Sequence, residues 1–226
     1  MDKQKIANNL AISEAEIFLN SASHPDHLAD LRKSGLSDET ILEASIKSVP
    51  PRDIPKKLGF DIQGLISMYE IPYPGCEAYS RFKALYADGE RYYKDGSEKP
   101  KYLARKNSGN HLYIPFKITS ILKDVSIPLY ITEGEKKALK AAQEGLPCIA
   151  ISGLWNWSNG NKELLPGFDQ IALEGRTVYL VPDSDWLEPN REGKPKNLRQ
   201  AVNTLACKLI DRGAKVSWVE LPGGEQ

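Results

Sequence analysis

From residue 127 onward, short apolar runs alternate with segments of helical period. IPLYIT (127–132), LPCIAISG (146–153), TVYLVPDSD (177–185) and AKVSWVEL (214–221) read as strands. GEKKALKAAQEG (134–145) and NLRQAVNTLACKLIDRG (197–213) read as amphipathic helices, each closing on glycine. Strands alternating with helices predict parallel βαβ units whose helices cover a buried sheet. No period of 20–50 residues repeats, which excludes a solenoid.

Upstream the grammar differs. HPDHLADLRKSG places Leu28 and Leu31 on one helical face and stops at Gly35. LSDETILEASIKSV predicts a further helix from Ser37 to just before Pro50-Pro51. Ser13 and Glu16 have capping-box spacing. Residues 1–70 are therefore expected to form a small helical region. In 71–125, Tyr73, Tyr79, Phe82, Tyr86, Tyr92, Tyr93, Tyr102, Tyr113 and Phe116 alternate with Arg and Lys, interrupted by Asp88-Gly89, Asp95-Gly96 and Ser108-Gly109-Asn110. That is hairpin grammar, and it predicts a basic, aromatic, β-rich subdomain. Residues 126–226 then form the α/β domain.

Composition narrows the class. The chain has 226 residues, 41% hydrophobic, with 30 basic and 30 acidic side chains. No apolar run approaches the ~20 residues of a membrane span, and MDKQKIANNLAISEAEIF lacks a signal core, so a cytoplasmic protein is expected. Cys76, Cys148 and Cys207 lie far apart and form neither a CxxC pair nor a disulfide framework; small buried thiols are expected. Charge is uneven: 8 basic and 11 acidic residues in 1–75, 10 and 6 in 76–125, and 12 and 13 in 126–226. The basic segment, with Arg81, Lys83, Lys101, Arg105 and Lys106, is expected to meet nucleic acid or nucleotide. Most of its tyrosines are expected to pack inward. The tail LPGGEQ follows a strand-like segment directly, and a longer natural chain is expected.

Two predicted strands stop on carboxylates. Glu133 follows 127–132 and precedes Gly134; Asp183 and Asp185 follow 177–182 with i, i+2 spacing. In an open α/β sheet, ligands collect beyond the carboxyl ends of the strands. Three hard oxygen ligands there suit Mg²⁺ or Mn²⁺; singly, each acid would be an ordinary helix cap or turn residue. Lys136 and Lys137 open a helix against its dipole, so they either pair with Glu133 or Glu135 or contact phosphate. His24 and His27 have HxxH spacing but no third ligand nearby and are expected at the surface of a helix N-terminus; His111, beside a turn, is expected to be structural. Trp155 and Trp157 are expected in the core.

These residues resemble a known family. TEGEKKA (132–138), ISG (151–153) and DSD (183–185) look like the three motifs of a Toprim domain, the Rossmann-like parallel sheet flanked by helices of DnaG-type primases, topoisomerases and several nucleases. The resemblance is nearest to a Toprim-like group in plasmid, phage and other mobile-element proteins, where SGLWNW (152–157) also recurs and helicase or ATPase modules are often attached. GSEKPKYLARKNSGNHLYIP (96–115) resembles the basic Lys-Tyr-Leu stretch before the primase Toprim domain. The resemblance implies Glu133 as catalytic acid/base or first metal carboxylate, and Asp183 and Asp185 as Mg²⁺ ligands. It implies Gly134 and Gly153 as structural turn residues, and phosphate or nucleotide contacts at Lys101 and Arg105. It further implies single-stranded DNA and NTP or dNTP as partners, with primase-like nucleotidyl transfer in mobile-element replication. A Toprim nuclease and a degenerate module binding single strands or nucleotide for a helicase are the alternatives. The chain departs from the pattern at Lys137, where many relatives have Asp, after DSDWLE, where a small residue is common, and in lacking a cysteine-rich zinc module.

Overall fold

The computed structural model describes residues 19–20, 23–184, 189 and 198–221, and the Ser13–Glu16 capping box falls outside them. The chain divides into two compact units, residues 1–108 and 109–226.

In the first unit, α1 (Pro25–Lys33) has Pro25 in its first turn and is capped by His24, whose ring accepts the Asp26 N–H. The chain reverses through Gly35 at φ 77°, where the absence of Cβ removes the steric cost. Ser37 caps α2 (Asp38–Glu43) by accepting the Thr40 N–H at 3.2 Å. The helix predicted to reach Pro50 ends at Glu43. Ser45 turns left-handed at φ 53°, the Ile46 N–H closes on the Ile41 carbonyl, and residues 47–49 become a strand. That strand, β1 (Lys47–Val49), pairs antiparallel with β2 (Leu65–Pro72), after the short helix α3 (Ile54–Leu58). The expected helical region thus contains two strands. β3 (Ser80–Tyr86) and β4 (Tyr102–Ala104) complete an antiparallel sheet in the order β1-β2-β3-β4. Its inner face buries Val49, Met68, Phe82, Ala84 and Leu103 against Ile54 and Leu58.

His27 corrects another expectation: it is 2% exposed, not a surface residue. Its ring nitrogens lie 2.7 Å from Ser48 Oγ and 3.0 Å from Ser67 Oγ, so both find partners out of water. Burial, reinforced by His24, pushes its imidazole from 6.5 down to about 4. The unfolded chain therefore binds the proton that the folded chain refuses between pH 6.5 and about 4. Stability should be full above this window and fall as pH drops through it, by on the order of 3 kcal/mol. His27→Gln should flatten that part of a melting-temperature-against-pH curve.

The second unit carries a four-stranded sheet in the order β6-β5-β7-β8, every pair parallel. β5 (Leu129–Glu133) leads through α4 (Glu135–Gln143) to β6 (Cys148–Ile151); β7 (Thr177–Val181) precedes α5 (Leu198–Asp211) and β8 (Lys215–Trp218). β6 is buried throughout, β5 and β7 bury Leu129, Ile131, Val178 and Leu180, and α5 packs on this core with Ala201, Val202, Leu205 and Leu209. Tyr113 adds a short antiparallel bridge to Ala150. Cys148 is buried, which pushes its thiol up to about 12; Cys76 is half-buried and Cys207 exposed, and all three are free thiols. No helix among the described residues is long and apolar enough to cross a membrane.

Candidate metal centre

The sheet order makes β5 and β7 neighbours, with Thr132 opposite Val181, so Glu133 and Asp183 emerge at one sheet edge. The Thr132 hydroxyl donates to the Val181 carbonyl at 3.1 Å and ties the two strands just before they end. At Gly134 (φ 87°) the chain leaves the strand and enters α4 at once, its N–H bonded to the Ile151 carbonyl at 2.9 Å. A side chain at this φ would be strained.

Glu133 is half-buried and accepts the Leu154 N–H through Oε2 at 3.1 Å; the Asp183 N–H also donates to its carboxylate. Burial, then the Asp183 charge, raise its proton affinity above the ordinary carboxylate range, against these donors and Lys137. Lys137 is exposed and ion-paired with Asp183. The sequence left this lysine between Glu133 or Glu135 and phosphate; its partner here is Asp183, after the neighbouring strand. Lys136 is half-buried and Glu135 is 1% exposed. Burial and the Glu135 carboxylate together push the Tyr113 hydroxyl up.

Among the described residues no group of three or more His, Cys, Asp or Glu is placed to hold a metal ion. The candidate centre supplies two carboxylates from described residues, while Asp185 lies outside them. The donor set nonetheless fits a hard divalent cation. Both donors are carboxylates, and they repel one another across adjacent strand ends.

The five basic candidates of the first unit are dispersed. Arg81 and Lys83 share the outer face of β3 and stand over the Tyr102 ring at 5.2 and 4.8 Å. Lys83 and Lys101 line a cavity of about 740 Å³ with Lys33, Arg91 and Tyr92. Arg105 lines a separate cavity of about 440 Å³ with Lys56 and Tyr79, and Lys106 is exposed. Of the tyrosines, Tyr73, Tyr79 and Tyr113 are buried, but Tyr92 and Tyr93 are 46% exposed. Sequence reasoning missed Lys99, which is 4% exposed. Its ammonium donates to the Gln63 carbonyl at 2.9 Å and lies 5.7 Å from the rings of Tyr86 and Tyr93. The lysine–tyrosine alternation is its visible signal, but nothing local distinguishes it from its exposed neighbours.

Residues 118–226 match the family described as a domain of unknown function (DUF3854). The Gene 57 protein of Mycobacterium phage D29 is 29% identical over 125 residues, covering 53% of this chain and 74% of that protein. Among solved structures, the chain is similar to the Aquifex aeolicus primase (zinc binding and RNA polymerase domains), with a TM-score of 0.58 and 15% identity. All of this chain is covered, and it spans 58% of the length of that one. The DnaG catalytic core is similar at TM-score 0.50 and 18% identity, covering 95% of this chain and 72% of that structure. The fold is thus mixed α/β with a parallel sheet, similar to primase cores. The sequence has a homologue in a phage.

Proposed function

We propose that this chain is a metal-dependent nucleic-acid enzyme performing primase-like nucleotidyl transfer in replication of a phage or other mobile element. The observation that carries this reading is the convergence of Glu133 and Asp183 at the ends of adjacent parallel strands in a fold similar to primase cores. Glu133, Asp183 and Asp185 would hold Mg²⁺ or Mn²⁺, which when bound supplies charge neutralisation for the transferring phosphoryl group. Glu133, with its raised proton affinity, suits a base that takes the proton of the attacking hydroxyl as the new O–P bond forms and pyrophosphate leaves. Lys137, paired with Asp183, and Lys136 would contact substrate phosphates. Lys83 and Lys101, with Arg81, Arg105 and Lys106, provide sequence-independent contacts for a single-stranded template or nucleotide. Gly134 and Gly153 shape the two turns, Gly153 lying so close to Asn156 that an added Cβ would stand 3.2 Å from its Nδ2.

One observation favours a second reading, a binding module for a helicase: Lys137 already neutralises Asp183. Labelled NTPs or dNTPs offered on a single-stranded template, beside a nuclease control, separate the readings. The enzyme yields Mg²⁺-dependent extended product, a nuclease shortens the template, and a binding module does neither. If Lys83 and Lys101 meet phosphates, single-strand affinity should fall steeply with salt, each phosphate contact adding about 0.7 to the log–log slope. Lys83→Ala/Lys101→Ala should flatten the slope by about 1.4, and an unchanged slope would place the phosphates elsewhere.

A further inference from the structure

Trp155 and Trp157 stand two residues apart in the loop after β6, yet their fates differ: Trp157 is 2% exposed and Trp155 is 46% exposed. The expectation that both sit in the core holds for Trp157 alone. We infer that Trp155 is a stacking platform for a nucleobase beside the strand ends that carry Glu133 and Asp183, an inference that rests on the proposed nucleic-acid function.

Position is the first argument. Leu154, the residue before it, donates its N–H to Glu133 Oε2 at 3.1 Å. Consecutive Cα atoms are ~3.8 Å apart, so the indole is rooted within a side-chain length of the metal carboxylates. Rigidity is the second. Leu154 and Trp157 are anchored in the core on either side. The Asn156 N–H closes on the Gly153 carbonyl at 2.8 Å, and the Leu165 N–H bonds the Trp157 carbonyl at 3.0 Å. Farther along, Asn159 Oδ1 accepts the Asn110 N–H at 2.7 Å, and Asn110 Nδ2 donates to the Ser158 carbonyl at 3.0 Å. A ring presented from a loop so tied loses little entropy when a partner covers it. Chemistry is the third. The strand ends would offer carboxylates to a metal and Lys137 to phosphate, and the loop beside them offers a broad π-face. Phosphate and base are the two parts of a nucleotide, and every base can stack.

Fluorescence anisotropy with a short labelled single strand, the same strand without bases, and a labelled nucleoside triphosphate tests this. Trp155→Ala should weaken a base-bearing ligand about tenfold, leave the abasic strand unchanged, and be rescued to within about threefold by Trp155→Phe. Loss on the strand alone assigns the stacked base to the template; loss on the triphosphate alone assigns it to the incoming nucleotide. Unchanged affinity for both, or equal loss on the abasic strand, overturns the inference and leaves Trp155 to an apolar protein partner. Melting temperatures equal to wild type establish that the fold is intact. Mn²⁺ binding by Glu133→Gln is read separately, so failure of the metal reading and failure of the stacking reading are told apart.

Discussion

Glu133→Gln is expected to lower template-dependent nucleotide incorporation by ~1000-fold, the scale of a lost general base, and to leave the melting temperature unchanged or higher. The two effects have one cause. Glu133 is half-buried beside Asp183, and both circumstances oppose its charge. Its folded proton affinity is raised, so the folded state holds the proton more readily than the unfolded chain. Its contribution is therefore most favourable at low pH and declines as pH rises from the ordinary carboxylate range through the raised value. Glutamine keeps an oxygen for the Leu154 N–H and removes both the charge and this pH dependence. An activity loss accompanied by a large fall in melting temperature would mean that Glu133 is structural.

Arg176→Met is expected to lower the melting temperature by about 6 °C, from a loss of about 1–3 kcal/mol. Arg176 is wholly buried immediately before β7. Its Nε donates to the Ile127 carbonyl at 2.9 Å, its Nη1 to Leu122 at 2.8 Å, and its Nη2 to Ile121 at 3.3 Å. These carbonyls close the 3₁₀ turn Phe116–Ile121 and the segment that enters β5. Methionine fills the volume and leaves the Ile127 carbonyl without its donor, while the Leu122 and Ile121 carbonyls keep the Ala172 and Asp124 N–H groups. Arg176→Lys should recover only part of the loss, because one ammonium does not reproduce the planar fork. A melting temperature unchanged from wild type in Arg176→Met would show that the Ile127 carbonyl finds another partner and that the guanidinium contributes nothing net.

The second unit was legible because local signals agreed with its fold. The alternation of apolar runs and helical periods announced a parallel sheet, and β5, β6, β7 and β8 form one. Glu133 and Asp183 were legible as a pair because β5 and β7 both end on acids, and they are neighbours. The first unit yielded less. Residues 37–49 carry a helical period, but the left-handed turn at Ser45 and pairing of Val49 with Met68 prevail over it. Polar burial was not legible at all, because its determinants are distant in sequence. His27 is satisfied by serines 21 and 40 residues away, and Arg176 by carbonyls 49 to 55 residues away. Trp155 and Trp157 share a composition and a loop, and only the path of the backbone distinguishes the exposed ring from the buried one.

Isothermal titration with Mn²⁺ tests the central claim, that strand-end carboxylates hold a divalent cation, most directly. Wild type should bind Mn²⁺, and both Glu133→Gln and Asp183→Asn should lose that binding while keeping their fold. Mn²⁺ affinity unchanged in both variants, or absent from the wild type, would contradict it.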